Sequence, residues 1–459
     1  MALPCDPSGN QSFPPTVTIP HDIFGEVRSR NNPLMQVISR CRTVTTLLVF
    51  LMLHSLAASL LAQLQITAGP YLQTPSEAGV TVMWATNHKC VSKVEYGTSP
   101  DGPTMTAERS QHGLVDANIT LHCVPLTGLK PGTCYYYRVV STEILDFQPY
   151  KVVFGDTVKS QDNRFTTLDA NKDRFSFVVL NDRHEKTNLL AQALNSIDWD
   201  GVDLVFFNGD AANHLTSEEQ IFQSIIQPAT KVFAGRIPLV FVRGNHETRG
   251  SFARMLMNYF PSATGRFYYS FSHGGVHFVI LDSGEDKADS DPEYSMLTRF
   301  ESYLEEETNW LKEEIRSESF RKARLRVVLV HIPPWDITMR DITVRAVREP
   351  PLGKSIREKY LWDHWGPLFN KGRVDLLLSG HTHKYAEVPP AEDKNQYLIL
   401  IGGTDTIIRV DAAAGHLSVT TFNNDGSLKS KWFDRLTIPS EVEGLPSILP
   451  ACGEREEKL

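Results

Sequence analysis

The sequence has no excess of positive charge and only one long apolar run. Its 46 Lys and Arg residues face 54 Asp and Glu residues, which gives a formal net charge of -8. A protein that follows a nucleic-acid backbone usually carries a basic balance or a basic patch, so we expect no nucleic-acid partner. A content of 41% hydrophobic and 22% charged residues is that of an ordinary globular protein, and it excludes a multi-span membrane protein and a disordered chain.

Cysteines are few, and no two of the six form a Cys-x-x-Cys pair. The chain therefore has no cysteine motif for zinc or redox chemistry. Three cysteines, Cys90, Cys123 and Cys134, fall in the first of the two domains described below. An odd set can form one disulfide at most, and both a disulfide and free thiols stay open. We find no internal repeat.

The apolar run covers residues 43–62 and follows Arg40 and Arg42. This order of charged, apolar and small residues is typical of a secretory signal and predicts a secreted or otherwise extracytoplasmic protein. Residues 1–42 form an N-terminal extension that is longer than such signals have, although Met35 would be an ordinary start. The alternatives are a core helix and a membrane anchor, since about 20 residues can span a bilayer. An anchor would tether the protein to a membrane.

The length of 459 residues fits two domains plus tails. Residues 63–167 alternate in short β-rich pieces, such as Val80–Trp84 and Tyr135–Val140, which Gly and Pro turns separate. This spacing predicts a β-sandwich. Within it, Leu126–Tyr137 resembles a late turn and strand of a fibronectin type III-like domain. The polar segment Leu168–Asp173 is the predicted linker.

Residues 174–436 have a different pattern, in which short continuous apolar runs alternate with helix-like stretches. Apolar runs of strand length indicate strands that are covered on both faces, so we predict an α/β domain with helices outside its sheets. The predicted strands are Phe175–Leu180, Leu204–Phe207, Leu239–Val242, Val327–Val330 and Leu376–Leu378. Asn424–Gly426 predicts a hairpin turn. Residues 437–459 are a predicted disordered tail.

Metal-binding residue types follow each of these five predicted strands. In α/β sheets, ligands bind beyond the carboxyl ends of the strands, so these side chains should meet at one place. They are Asp182, His184, Asp210, Asn245, His331, His381 and His383. Oxygen and imidazole donors without thiolates suit Fe, Mn, Zn or Mg. Seven ligands exceed the need of one ion and suit two ions that share a carboxylate, as in displacement reactions at phosphorus.

Any one of these motifs is common by itself, and only their order is specific. The order Asp-x-His, Gly-Asp, Gly-Asn-His-Glu, Val-x-x-His and Gly-His-x-His resembles the calcineurin-like metallophosphoesterase superfamily. With the preceding β-sandwich, it is most similar to the purple acid phosphatases. The resemblance implies a four-layer α/β/β/α domain after the sandwich. It also implies one metal on Asp182, His184, Asp210 and His383, and a second on Asp210, Asn245, His331 and His381, so that Asp210 bridges them.

Two positions depart from the purple acid phosphatase pattern. That family has Gly where this chain has His184, and a metal-binding Tyr where this chain has Asn213. A phenolate ligand stabilises ferric iron and gives the purple colour. We therefore predict that this protein is not purple, and that its two divalent or mixed-valence ions are Fe, Mn or Zn without a need for ferric iron.

His246 follows the ligand Asn245 and is the predicted general acid. Glu247 is expected to orient it. Other polar residues beside the motifs are either substrate contacts or, as we favour, structural or solvent-facing: Arg183, Arg243, Asn213 and His214. Trp335 either lines the pocket or packs in the core.

The sequence favours a phosphomonoesterase of acid-phosphatase type that acts on a small phosphate ester. A phosphodiesterase acting on nucleotides or lipid head groups is the nearest alternative, because the same two-metal site serves both reactions. An alternative of another class is a binding protein whose phosphatase domain has lost activity. Against it, all seven ligand types are present.

Overall fold

A computed structural model describes residues 63–334, 356–391 and 394–433. The N-terminal extension, the apolar run 43–62, Trp335 and the tail 437–459 lie outside these residues, so the expectations for them stay predictions. Within the described ranges, no helix is long and apolar enough to span a membrane.

The N-terminal part is built only of strands, as predicted. The central strand, β2, is 19 residues long and belongs to two sets of pairs: its first half pairs with β1 and β6, and its second half with β3 and β7. Side chains of both sets, including Trp84, Val94 and Tyr137, are buried between them. The strands are β1 Ile66–Ser76, β2 Gly79–Gly97, β3 Met105–Ala107, β4 Ser110–Gln111, β5 Leu114–Val115, β6 Ile119–Thr127, β7 Cys134–Gln148, β8 Lys151–Lys159 and β9 Asn163–Thr166. No two of Cys90, Cys123 and Cys134 form a disulfide.

The second part contains two six-stranded sheets, ordered β12-β11-β10-β19-β20-β21 and β13-β14-β15-β16-β18-β17. Their strands are β10 Arg174–Leu180, β11 Val202–Asn208, β12 Leu239–Val242, β13 Tyr269–His273, β14 Val276–Leu281, β15 Leu325–Val330, β16 Leu376–Ser379, β17 Ala386–Val388, β18 Leu398–Ile401, β19 Thr406–Ala413, β20 His416–Asn423 and β21 Leu428–Phe433. All five predicted strands are present. The hairpin turn at Asn424–Gly426 joins β20 to β21, as expected.

Helices cover the outer faces of the two sheets. They are α1 Thr187–Ser196, α2 Glu218–Ile221, α3 Gln227–Thr230, α4 Phe300–Glu314, α5 Glu318–Lys322, α6 Ile356–His364 and α7 Gly366–Gly372. A π-helical segment, Phe222–Ile226, joins α2 to α3. Short 3-10 turns lie at His246–Thr248, Ala253–Asn258 and Pro292–Tyr294.

Alternate side chains of β10 show why its apolar run is continuous. Phe177 and Val179 face the core between the two sheets, where residues of β14, β15 and β16 meet them. Val178 and Leu180 face the opposite way, into the core beneath α1 and the segment around α2 and α3. A third core lies between the second sheet and helices α4, α6 and α7. These layers are the predicted α/β/β/α arrangement.

The sandwich contacts the sheet that carries four of the seven predicted ligands. Gln73 of β1 donates a hydrogen bond to the carbonyl of Leu239, the first residue of β12, at 2.7 Å. The hydroxyl of Tyr71 donates to the Tyr259 carbonyl at 2.9 Å. The first of these buried contacts holds the start of β12, the strand that leads to Asn245, and the second holds the segment after the 3-10 turn Ala253–Asn258.

Candidate metal centre

The predicted ligands lie together at the carboxyl ends of five strands from both sheets. The first sheet contributes the segments after β10, β11 and β12, and the second contributes those after β15 and β16. Two groups of potential metal ligands result, and within each group the ligand atoms lie within 4.8 Å of one another. The first group is Asp182, His184, Asp210 and His383; the second is Asp210, His331 and His381.

Asp210 belongs to both groups, and its buried carboxylate lies between them. Its Oδ2 atom is 3.0 Å from Nε2 of His331 and 3.8 Å from Nε2 of His184. Its other oxygen, Oδ1, accepts a hydrogen bond from the backbone N–H of His246 at 3.0 Å. One oxygen is thus held by the backbone, while the other faces imidazoles of both groups.

In the first group, Nε2 of His184 and Nε2 of His383 approach to 2.8 Å. Nε2 of His383 also lies 3.8 Å from Oδ1 of Asp182. His184 is buried, whereas the side chain of His383 is 52% exposed. This group is therefore open to solvent at His383.

The second group gains the amide that the sequence predicted as its fourth ligand. Oδ1 of Asn245 lies 3.1 Å from Nδ1 of His381. The Nδ1 atom of His331 donates to the Asn208 carbonyl at 2.8 Å, which leaves its Nε2 atom directed at Asp210. A fixed N–H on one ring nitrogen is how proteins orient a histidine whose other nitrogen binds a metal.

The site fits metal cations on two observations. Oδ2 of Asp210 and Nε2 of His331 are buried 3.0 Å apart with no hydrogen-bond partner beyond each other, and a cation could satisfy the free lone pairs of both. The Nε2 atoms of His184 and His383 converge to 2.8 Å, a distance that fits one N–H···N hydrogen bond between them or two lone pairs directed at one cation. Carboxylate, amide and imidazole donors match the predicted Fe, Mn or Zn.

Burial keeps two of the imidazoles neutral and therefore able to bind a metal. It lowers the pKa of His184 to about 4 and that of His381 to about 3. Burial also raises the pKa of the Asp182 carboxyl to about 8. Burial lowers the pKa of His331, but the Asp210 carboxylate outweighs burial and raises this pKa to about 10. A metal ion that binds Asp182 and His331 near neutral pH would therefore displace a proton from each.

Five of the seven predicted ligands have a left-handed backbone conformation, with φ between 46° and 70°. They are Asp182, His184, Asp210, His381 and His383. Non-glycine residues rarely adopt this region, and each one costs about 1–3 kcal/mol that the rest of the fold must offset. Such strain typically lies at functional sites. Here it turns each side chain sharply away from its strand.

Three glycines precede predicted ligands, and a sharp turn of the backbone is the usual explanation for a glycine at such a position. That explanation holds only for Gly209, whose φ is +83°. Gly244 and Gly380 have no positive φ and are needed for space: a Cβ would lie 2.3 Å from Oδ1 of Asp210 at Gly244 and 2.7 Å from Oδ2 of Asp182 at Gly380.

Glu247 does not contact His246, so the expectation that it orients this histidine is wrong. It is fully buried, and it accepts backbone hydrogen bonds from Asp210 and Gly244 at 2.9 Å and from Ala212 at 3.0 Å. The side chain therefore holds the segment of Asp210 after β11 against the segment after β12.

His246 lies at the edge of the site and is oriented by a backbone carbonyl. Its Nδ1 atom donates to the Asn213 carbonyl at 2.8 Å, and its Nε2 atom lies 3.9 Å from Oδ2 of Asp210. The side chain is 25% exposed. Its Nε2 atom thus lies near the Asp210 carboxylate, and the side chain is partly open to solvent.

Two arginines beside the motifs are structural, which was the favoured interpretation. Arg183 is buried and donates to the carbonyls of Thr404 and Thr406 and to the Asn424 side chain. Arg243 is partly buried, pairs with Asp282, and lies 4.1 Å from the ring centre of Phe267.

Asn213 and His214 are exposed. The side chain of Asn213 donates to Glu185 at 3.2 Å and to the His184 carbonyl at 3.4 Å, and it belongs to neither ligand group. His184 belongs to the first group instead, as the departure from the purple acid phosphatase pattern suggested.

The sequence did not identify Arg249, which lies two residues beyond the Gly-Asn-His-Glu motif. Its Nη1 atom is 3.2 Å from Nε2 of His246, and its Nε and Nη2 atoms donate to the buried Glu285. The only signal in the sequence was a cationic residue close to a predicted catalytic histidine. Its partner Glu285 is 36 residues away and gave no signal.

Comparisons with known proteins agree with this geometry. The family model for calcineurin-like phosphoesterases matches residues 175–385, and that for the purple acid phosphatase N-terminal domain matches residues 69–167. The chain is 26% identical to human acid phosphatase type 7 over 70% of each chain. It is 25% identical to an Arabidopsis thaliana protein named probable inactive purple acid phosphatase 24, over 51% of this chain and 37% of that one.

Across the curated relatives, the match covers between 37% and 70% of their length. A solved purple acid phosphatase from yellow lupin (Lupinus luteus) has a similar fold, with a TM-score of 0.56 and 16% identity over 79% of this chain and 73% of that one. The matched regions coincide with the sandwich and with the domain that brings the ligand groups together. Residues 175–385 therefore form a domain of the calcineurin-like phosphoesterase family, a family of phosphoric ester hydrolases, and residues 69–167 match the N-terminal domain of the purple acid phosphatases.

Proposed function

We propose that this protein is a phosphomonoesterase that uses two metal ions. The observation that carries the proposal is the pair of ligand groups that share Asp210. Two ions a few ångströms apart can hold the attacking and the leaving oxygen of a displacement at phosphorus. The name of the human relative, an acid phosphatase, supports monoester substrates.

Bound metal ions would supply Lewis acidity and lower the pKa of a water toward about 7. The protein's part is to hold its ligands in place. Asp182, His184 and His383 would complete one site and Asn245, His331 and His381 the other, with the Asp210 carboxylate between them. Glu247 keeps the Asp210 backbone in position.

His246 would act on the leaving group. Its Nδ1–H is engaged by the Asn213 carbonyl, so Nε2 is the nitrogen that can pass a proton to the departing oxygen or donate to the phosphate. Nε2 lies 3.9 Å from Oδ2 of Asp210, so a proton on this nitrogen would lie next to the proposed metal ligands without being held by one of them.

The experiment is to measure metal content and the hydrolysis of p-nitrophenyl phosphate and bis-p-nitrophenyl phosphate. Wild type should bind about two metals per chain, and Asp210→Ala should lose metal and activity together. Asp162→Ala is the matched control, because this aspartate lies in the sandwich with 69% of its side chain exposed. Hydrolysis of the diester in preference to the monoester would replace the proposal with the phosphodiesterase alternative.

The binding-protein alternative makes the opposite prediction for the wild type. A protein that stays metal-free and inactive after Mn, Fe and Zn are supplied would support it. The relatives named inactive make this comparison necessary.

Export through residues 43–62 is part of the proposal, and the support for it is the apolar run after Arg40 and Arg42. The full chain would be expressed in a secreting host. Recovery from the medium with an N-terminus near residue 63 would support a cleaved signal, whereas recovery with the membranes would support a tether.

A further inference from the structure

Arg249 directs part of its guanidinium group at the proposed reaction centre. Its Nη1 atom lies 3.2 Å from Nε2 of His246, and that nitrogen lies 3.9 Å from Oδ2 of Asp210. Arg249 directly follows the short 3-10 turn His246–Thr248, so the same turn positions both side chains. The arginine is 28% exposed, on the open side of the site.

The guanidinium group is fixed by a buried carboxylate. Nε and Nη2 each donate to one oxygen of Glu285 at 2.9 Å, a bidentate pair in which the side chain of Glu285 is 1% exposed. Thr248 and Tyr294 donate further hydrogen bonds to Glu285, at 2.7 and 2.8 Å. A fork held in this way loses little freedom when it binds a ligand.

This anchoring divides the donors of the guanidinium group into two sets. Nε and Nη2 are directed at Glu285 and at Asp286, whose Oδ1 atom is 3.2 Å from Nη2. Nη1 is directed at the imidazole of His246. A phosphate oxygen beside His246 would therefore meet a fixed cationic N–H donor, which forms stronger hydrogen bonds than a neutral one.

We propose that Arg249 contacts the substrate phosphate through Nη1 and favours monoesters over diesters. The proposal rests on the function proposed above. A monoester phosphate has three terminal oxygens and carries close to two negative charges at pH 7, because its second pKa is about 6. A diester has two such oxygens and one charge. A fixed cation attracts the more highly charged group more strongly.

The competing role is structural: Arg249 could serve only to hold the segment of Glu285 and Tyr294. Both roles predict some loss of stability when Arg249 is replaced. Only phosphate contact predicts a change in the monoester-to-diester ratio and in the affinity for inorganic phosphate.

The first experiment compares wild type with Arg249→Lys and Arg249→Gln, using the full metal-loaded chain. Loss of one charged hydrogen bond should reduce kcat/KM for p-nitrophenyl phosphate by about 10- to 100-fold. The diester should be affected several-fold less, and inhibition by inorganic phosphate should weaken along with the monoester. Arg316→Lys is the control, because this arginine is 59% exposed and pairs only with Glu313 among the described residues. An unchanged monoester-to-diester ratio together with unchanged inhibition by phosphate would contradict phosphate contact and support a purely structural role for Arg249.

A second experiment uses only the wild type and does not depend on how the variants fold. Phenylglyoxal modifies accessible arginines, and mass spectrometry of peptides reports each position. Inorganic phosphate should slow the modification of Arg249 in the metal-loaded protein and leave Arg316 unchanged. Equal modification of Arg249 with and without phosphate would overturn the proposal.

The outcomes separate this inference from the function on which it rests. A wild type that hydrolyses neither ester contradicts the proposed function, and phosphate protection then still decides whether Arg249 binds phosphate. An active wild type whose Arg249 variants keep the same ester ratio contradicts only the inference about Arg249.

Discussion

Replacing Gly209 with alanine tests how closely the two sheets must approach for the second ligand group to form. Gly209 precedes Asp210 and has a φ of +83°, and a Cβ at this position would lie 2.2 Å from Nδ1 of His331 and 2.4 Å from its Cγ. Such distances do not occur in folded proteins, so the imidazole must move. Movement would break its hydrogen bond to the Asn208 carbonyl and take Nε2 away from Asp210.

The free-energy cost of Gly209→Ala has two separate parts. An alanine with left-handed φ costs about 1–2 kcal/mol. Forcing an extra methyl group into a packed site costs about 1–3 kcal/mol more. For a domain of this size, the second part alone corresponds to a decrease in Tm of roughly 2–12 °C.

A second glycine of the chain provides a control, because replacing it with alanine has the conformational cost without the steric cost. Gly415, in the turn between β19 and β20, has a φ of +84°, and a Cβ there would meet no atom within 4 Å. Gly415→Ala should therefore lower Tm by the conformational cost alone. The difference in Tm between the two variants measures the steric part.

The assay combines thermal unfolding with metal analysis by mass spectrometry. Gly209→Ala should bind the metal of the second group about 10- to 100-fold more weakly, whereas Gly415→Ala should keep two metals. If Gly209→Ala keeps both metals and loses no more Tm than Gly415→Ala, the reasoning about the close approach of His331 is refuted.

The remaining predictions concern pH, a buried arginine and colour. In the metal-free folded protein, burial raises the pKa of Asp182 to about 8, and the charge of Asp210 outweighs burial to raise that of His331 to about 10. In the unfolded chain both groups release these protons at lower pH, so the Tm of the metal-free protein should fall as pH rises from about 6.5 toward 10. The increase in Tm on adding metal should grow over the same pH range, because fewer protons then have to be displaced. An increase in Tm that does not change with pH would contradict this reasoning. Arg183→Lys should lower stability by about 1–3 kcal/mol in urea unfolding, because it leaves buried carbonyls unpaired, with KM unchanged; a raised KM with normal stability would show substrate contact instead. With Asn213 in place of the expected tyrosine, the iron-loaded protein should show no strong visible absorption band; a band that a Tyr→Phe change removes would contradict this.

Much of the fold follows from local features of the sequence. Strands β10, β11, β12, β15 and β16 were predicted from continuous apolar runs, since strands buried on both faces need apolar side chains at every position. The ligand types were equally visible, because each directly follows such a run. The order of the motifs then indicated the family that the matched family models identify.

The role of Glu247 was not visible in this way. The sequence shows a carboxylate next to His246, and adjacency suggested a contact between them. In the fold the carboxylate turns to three backbone N–H groups, of which those of Asp210 and Ala212 belong to another strand end. Backbone donors leave no mark in a sequence, so only the packing of two segments could reveal this contact.

The sequence by itself determined which strands form and which side chains follow their carboxyl ends, because burial patterns and turn residues act over a few neighbouring positions. Tertiary structure decided which atoms face one another. Gly209 and His331 are 122 positions apart, yet the first must lack a side chain because the second lies against it. Arg249 gained its fixed orientation from Glu285 in the same way. Such pairings depend on how two sheets and their loops pack, and distance along the chain carries no information about them.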